Sequence, residues 1–375
     1  MIRIFHFIVF SLFSFSALAE TYPNIKGDYW IKLQTDRISD YSDSNSITND
    51  SDLKSSDTFI EAKPRFELNF KDYLALQTSW VLLNVKAPER VGSDRAFDDQ
   101  GLVLEELFLN FKQDDAEFSV GKINPNFGLA WNEDFESGIW GADYGDEYRI
   151  VGRLGLEIKA KLDLEDYGHH IVSVNSFFND ETGLEEAIFT RRDNVSSSKG
   201  QAGNSGGLSS YTLSFSGKDF YNLPGLFYEF SYRNLDAGKG AGDVSDEEGY
   251  SLGVGSYHDF GDLRVVPFIE YAKINNFNSI NNRFGPEFGD NSLPGDYEYL
   301  SMMLTLNFRN WSLHMNRLEK DYDYEIKSGS NQMEYSVSYE FKNGVSLSLG
   351  RKDEEDSSAV EQTTLGAMLY LKRSF

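Results

Sequence analysis

A run of carboxylates and a row of cations stand close together in the middle of this chain. Glu133, Asp134, Glu136, Asp143, Asp146 and Glu147 fall between Ile123 and Tyr148, and Arg153, Glu157, Lys159 and Lys161 follow directly. The same stretch holds Gly128, Gly138, Gly141 and Gly145, which permit tight positive-φ backbone. Trp131, Phe135, Trp140 and Tyr144 give it apolar bodies to pack against a wall. Carboxylates set opposite ammonium and guanidinium groups create a field across a gap. In a narrow passage with low-dielectric walls that field filters solutes by charge and orients dipoles. Such chemistry needs no turnover.

Catalysis is not expected. A hydrolase, even one built into a membrane barrel, needs a nucleophile with a positioned base. The histidines beyond the N-terminal segment are His169, His170, His258 and His314, and the adjacent pair falls in a short turn. No H-E-x-x-H signature is present. Cysteine is absent, so thiolate metal sites and disulfides are excluded. The acidic stretches at 36–57 and 353–356 lack EF-hand spacing, which leaves only diffuse divalent-ion binding at a rim and implies no cofactor. Lys+Arg 35 against Asp+Glu 60 gives a net charge of -25, so nucleic acid is not an expected partner.

These groups need a scaffold, and the rest of the chain repeats one pattern. Tyr29, Ile31 and Leu33 alternate with Trp30, Lys32 and Gln34, and Phe66, Leu68 and Phe70 alternate with Arg65, Glu67 and Asn69. The cleanest case is Leu154, Leu156, Ile158, Ala160 and Leu162, opposite Arg153, Glu157, Lys159 and Lys161. Alternation of this kind puts successive side chains on opposite faces of a strand. Counting such runs over 28–375 predicts about sixteen strands. Short turns at Lys71-Asp72, Gly261-Asp262, Arg309-Asn310 and Lys342-Asn343-Gly344 alternate with long polar loops such as 35–57, 87–101 and 180–207. Short connections at one end and long ones at the other fit an up-and-down barrel.

The two ends agree with that class. Ile4 to Phe15 form an apolar strip behind Arg3, closed by Ala17-Leu18-Ala19, so residues 1–19 read as a cleaved secretion signal and 20–375 as one barrel domain. Mean hydropathy is -0.45, and no segment after Glu20 reaches the roughly 20 apolar residues of a spanning helix. Aromatics at 15% suit interfacial girdles. The expected fold is all-β, a transmembrane antiparallel β-barrel of about 16 strands, wide enough for an aqueous channel. A soluble β-sandwich is the alternative, and the chain is too short for a large transporter barrel with its plug.

Two stretches carry a family resemblance. Leu365, Ala367, Leu369 and Leu371, at alternate positions before Phe375, resemble the closing strand of Gram-negative outer-membrane barrels. Arg373 departs from that pattern, standing where an aromatic or apolar residue is usual. Residues 120–131, with Gly121, Lys122, Pro125, Phe127 and Gly128, resemble the segment entering the inward-folded third loop of Gram-negative porins, including the phosphate-selective-like group. The resemblance spans the mature chain in pattern and these two stretches in letters. It implies a water-filled outer-membrane channel, often a homotrimer, that passes ions and small hydrophilic solutes by passive diffusion. It also implies export through the periplasm, contact with outer-membrane lipid and lipopolysaccharide, and Phe375 as a signal to the assembly machinery.

On that frame the third long connection is expected to fold into the lumen, with Glu133, Asp134, Glu136, Asp143, Asp146 and Glu147 at a constriction. The bland alternative is an extracellular acidic loop. Arg65, Glu67, Arg153, Glu157, Lys159 and Lys161 share the inward parity and are expected on the pore wall. Net charge favours a weak cation preference; an anion- or phosphate-selective channel would instead use the Arg153/Lys159/Lys161 row.

Overall fold

The computed structural model describes residues 22–43, 54–86, 93–132, 138–141, 143–190, 206–237, 246–277, 295–324, 326–356 and 360–375. The expected leader, 1–19, lies outside them, as do Glu133, Asp134 and Glu136. Among the described residues, sixteen antiparallel strands make up the sheet. They are β1 Asn24–Asp43, β2 Ser56–Lys71, β3 Leu74–Asn84, β4 Gln100–Gln113, β5 Ala116–Ile123, β6 Arg153–Asp163, β7 His169–Phe178 and β8 Ser210–Phe220. Then come β9 Leu223–Leu235, β10 Glu247–Ser256 (continued by His258–Phe260), β11 Leu263–Phe277 and β12 Gly295–Phe308. The last four are β13 Trp311–Tyr324, β14 Ile326–Glu340, β15 Val345–Asp356 and β16 Val360–Ser374. A two-residue piece, Arg95–Ala96, adds a short parallel bridge to β2.

Each strand pairs with its sequence neighbour, and β1 also pairs with β16 from Asp28↔Ser374 to Asp43↔Val360. The sheet is therefore closed. At the seam the backbone of Gly27 exchanges hydrogen bonds with Phe375, N to O at 3.1 Å and O to N at 2.9 Å. The Phe375 ring meets Phe66 edge-on, with centroids 6.0 Å apart. Arg373 has its own reason to break the apolar pattern: its guanidinium donates to the carbonyl of Asn343 in the neighbouring short turn.

Polarity is inverted relative to a water-soluble domain. Ile158, Leu213, Phe230, Leu252, Ile269, Leu313, Val337, Leu349 and Leu365 are exposed on the outside. Many buried inward positions are polar, among them Ser119, Asn175, Thr212, Ser231, Glu270, Asn316, Glu334 and Ser348. A sandwich would bury the apolar face. An encircling apolar surface of this kind marks contact with lipid rather than water. Apolar residues also face inward in places: Val81, Leu83, Val85 and Val103 pack with Ala187 toward the long-loop end.

Valine at Gly27 would drive a side chain into the Arg65 carbonyl and the Phe375 ring, each 2.6 Å from where its Cβ must lie. Overpacking of this type costs about 1–3 kcal/mol. The variant is expected to yield less of the compact, heat-modifiable species on unheated gels; wild-type yield and mobility would show that closure tolerates the clash.

Candidate functional site

The connection from β5 to β6 runs inside the barrel, and wall carboxylates hold it there. Asn126 Nδ2 donates to Glu229 Oε2 of β9 at 3.0 Å and to Ser214 Oγ of β8 at 3.2 Å. The amides of Leu129 and Ala130 donate to Glu270 of β11 at 2.5 and 3.1 Å, and the Tyr148 hydroxyl donates to the same carboxylate. Further along, the amides of Ile139 and Trp140 donate to Glu334 Oε1 of β14 at 2.8 and 3.3 Å. Trp140 Nε1 then reaches Asp36 Oδ2 of β1 at 3.1 Å. The loop thus sweeps along the inner wall from β8 round to β1. A carboxyl group suits each anchor because its two oxygens accept two or more donors.

Two glycines make those anchors possible. Gly128 and Gly138 have φ of 78° and 85°, where a side chain is strained. A Cβ on Gly138 would overlap Glu334 Oε1, and one on Gly128 would stand 3.1 Å from Glu270 Oε1. Apolar packing completes the seat. Phe127, Leu129, Ala130, Tyr144, Tyr148 and Ile150 from the loop form one cluster with wall residues including Phe268, Tyr299 and Leu318.

A single helical turn, α1 Asp143–Tyr148, carries the described acids of the loop. Lys352 Nζ of β15 lies 3.0 Å from Asp143, and Lys320 Nζ of β13 lies 2.6 Å from Glu147, which also accepts from the Tyr299 hydroxyl at 3.0 Å. Asp146 pairs with Arg149 at 2.9 Å. The Tyr144 hydroxyl shares a 2.7 Å hydrogen bond with Ser330, and burial pushes its phenol up to about 12, so it stays neutral. Beneath the turn, buried Arg233 donates to the Tyr148 carbonyl at 2.6 Å, pairs with Glu247, and lies 4.5 Å from the Phe127 ring centre.

Among the described residues, the anticipated wall residues bond to other groups of the wall and its short connections. Arg153 donates to Asn179, Lys159 pairs with Glu157 at 2.9 Å, and Lys161 pairs with Glu117 at 2.5 Å near the short-turn end. Arg65 pairs with Asp28 at 2.6 Å, and Glu67 accepts from Gln77 at 2.8 Å. The cations facing Asp143 and Glu147 are Lys352 and Lys320 instead. For these described acids the expectation of an opposing cationic row on β6 is therefore corrected; Glu133, Asp134 and Glu136 lie outside the described residues. That row lies beside the strand from which the loop departs, whereas the helical turn has already crossed to β12–β15.

Other lumen residues escaped the period-two reading. The β3–β4 register shifts at Ser79/Trp80, so Glu105 is an extra residue in the ladder. The bulge turns Glu105 to Lys63 of β2 at 2.8 Å while its neighbour Glu106 accepts from Ser79 at 2.9 Å. One motif-like string, Gly203-Asn204-Ser205-Gly206-Gly207, has nucleophile-elbow spelling. An elbow needs a strand running into it and a helix running out. Gly203, Asn204 and Ser205 lie outside the described residues, and the chain after Gly207 runs into β8 rather than a helix.

Alanine at Glu334 would leave the Ile139 and Trp140 amides without their acceptor, at about 1–3 kcal/mol for each group. Hydrogen exchange over 138–141 is expected to rise at least about tenfold, and much less in Glu334→Gln, which keeps an acceptor oxygen. Unchanged protection in the alanine variant would show that this carboxylate does not hold the loop.

No family model matches the sequence, and no curated protein is similar to it at a significant level. Solved structures are similar in fold. The outer membrane channel DcaP of Acinetobacter baumannii aligns over 96% of this chain and 100% of its own, with 11% identity and a TM-score of 0.55. A loop L8 deletion mutant of OmpT, an outer membrane protein of Vibrio cholerae, aligns over 93% and 100%, with 11% identity and a TM-score of 0.52. Pseudomonas aeruginosa OpdK with vanillate aligns over 94% and 99%, with 7% identity and a TM-score of 0.51. The chain therefore folds as the sixteen-stranded barrel seen in Gram-negative outer-membrane channels.

Proposed function

We propose that this chain is an outer-membrane channel for passive diffusion of ions and small hydrophilic solutes, weakly cation-preferring and without enzymatic turnover. One observation carries the reading: a closed sheet, apolar outside and largely polar inside, has a loop fastened to its inner wall. Such a barrel places a wet passage through lipid, and the loop narrows it. The likeness in fold to outer-membrane channels supports the same location, with residues 1–19 as the export signal and Phe375 as the mark read by the assembly machinery.

The cation preference rests on charge accounting. Lys320, Lys352, Lys159, Lys161, Lys63 and Lys122 are each ion-paired to carboxylates on the wall or loop. Wall cations are thereby largely neutralised, while net charge is -25 and Glu133, Asp134 and Glu136 add carboxylates to the loop. The anion-selective alternative would need the Arg153/Lys159/Lys161 row to present uncompensated charge.

Planar-bilayer recordings in asymmetric salt test both readings. The wild-type channel is expected to show a reversal potential of cation-preferring sign. Neutralising Glu133, Asp134 and Glu136 together is expected to move it toward anions. An anion-preferring wild type that loses its preference when Lys159 and Lys161 are neutralised would favour the alternative, and no shift in the triple variant would retire the constriction role of these acids. Conductance steps in multiples of three would support a homotrimer.

A further inference from the structure

Below the loop, between Trp140 and strands β13 to β16 and β1, lies a cavity of about 270 Å³ that the charge-filter reading does not use. Its wall is a ladder of hydroxyls. Ser312 of β13 is in register with Ser338 of β14, which is in register with Ser348 of β15. The Ser338 and Ser348 hydroxyls are 2.7 Å apart, and Ser312 donates to Asn307 at 2.6 Å. Each hydroxyl has one donor and two acceptor positions, so these bonds leave capacity for a solute.

Aromatic faces border the same space. Trp30 of β1 and Tyr370 of β16 pack with centroids 6.2 Å apart, and Trp140 comes from the loop. Trp140 is fixed in place: its Nε1 is bonded to Asp36, and its ring fills the room left by Gly366 and Gly350 on adjacent strands. A Cβ on Gly366 would overlap the indole.

The charged side chains lining the cavity are already matched. Lys32 pairs with Glu61 at 2.6 Å, Asp143 with Lys352 at 3.0 Å, and Asp146 with Arg149 at 2.9 Å. A charged solute would have to break one of these pairs and leave its partner uncompensated. A neutral one would not. What remains on offer is a hydroxyl ladder on one side and the accessible parts of Trp30, Tyr370 and Trp140 on the other, with Lys352 Nζ 5.6 Å from the Trp140 ring centre. That combination suits a ring with C–H faces and equatorial hydroxyls.

We infer that this cavity is a subsite for one neutral cyclic polyol, a monosaccharide-sized sugar, on its way through the channel. The inference rests on the channel reading and names a solute class for it. The solute's C–H face lies on Trp140 or Trp30, and its hydroxyls exchange water for the Ser312/Ser338/Ser348 row. Trp140 thereby both anchors the loop and forms part of the subsite.

Two measurements on the purified full barrel test this with D-glucose, and with D-glucuronate as the same ring carrying a charge. In planar bilayers glucose is expected to add concentration-dependent current noise, with glucuronate weaker by roughly tenfold or more. In detergent, glucose is expected to change tryptophan fluorescence saturably. Trp140→Ala is expected to weaken both responses roughly tenfold. Because that change also releases a loop anchor, the double variant Ser338→Ala/Ser348→Ala, on the wall, is the second test and is expected to weaken glucose several-fold. If glucose lowers conductance only as bulk viscosity does and leaves fluorescence unchanged, or if glucuronate binds as tightly, the subsite is refuted. Saturable fluorescence without any conductance would keep the subsite and overturn the channel reading; conductance without saturable glucose effects would do the reverse.

Discussion

In hydrocarbon no water is present to satisfy backbone N–H and C=O groups, so a sheet crossing it cannot have an edge. Everything else in this molecule follows from that demand. β1 must pair on both sides, with β2 and with β16, and the C-terminal Phe375 finishes the ladder on Gly27. Closure in turn gives every strand one face toward lipid and one toward the lumen. Leu365 and Leu369 face out while Thr364 and Met368 face in, along one strand.

A closed sixteen-stranded barrel is too wide to be filled by wall side chains alone. The β5–β6 connection occupies part of that space, and its position is set by polar anchors as much as by packing. Glu229, Glu270 and Glu334 sit on three different strands, and two of them accept consecutive loop amides. These glutamates hold a loop rather than a solute. Their burial is tolerated because each carboxyl group is met by multiple hydrogen bonds. The acids of the helical turn play a different part, since Lys320 and Lys352 reach them from the wall. Among the described residues, opposite charges are thus paired side by side along the loop. The lumen field is set by whatever charge the pairs leave over.

That pairing also explains why the aromatic and serine cavity matters. Where charges are matched locally, discrimination among neutral solutes falls to shape, hydroxyl geometry and aromatic faces. Trp140 joins the two functions, because the same indole that docks the loop on Gly366 and Asp36 walls the cavity.

Strand number and barrel class were legible from alternation alone. In lipid, one face must be apolar and the other need not be, so the period is imprinted on the residues. The signal fades where both faces are wet. On β13 the outward positions change from Leu313 and Met315 to Arg317 and Glu319, and Lys320, the partner of Glu147, stands in that unpatterned part. The β4 bulge left a faint trace, since the apolar parity switches between Leu104 and Leu107 across Glu105 and Glu106. Glycine and aromatic content marked residues 123–148 as a folded loop. Which wall carboxylates would hold it was decided only in three dimensions. A loop's path depends on strands far away in sequence, here from Asp36 to Lys352, and local pattern carries no record of which of them it will meet.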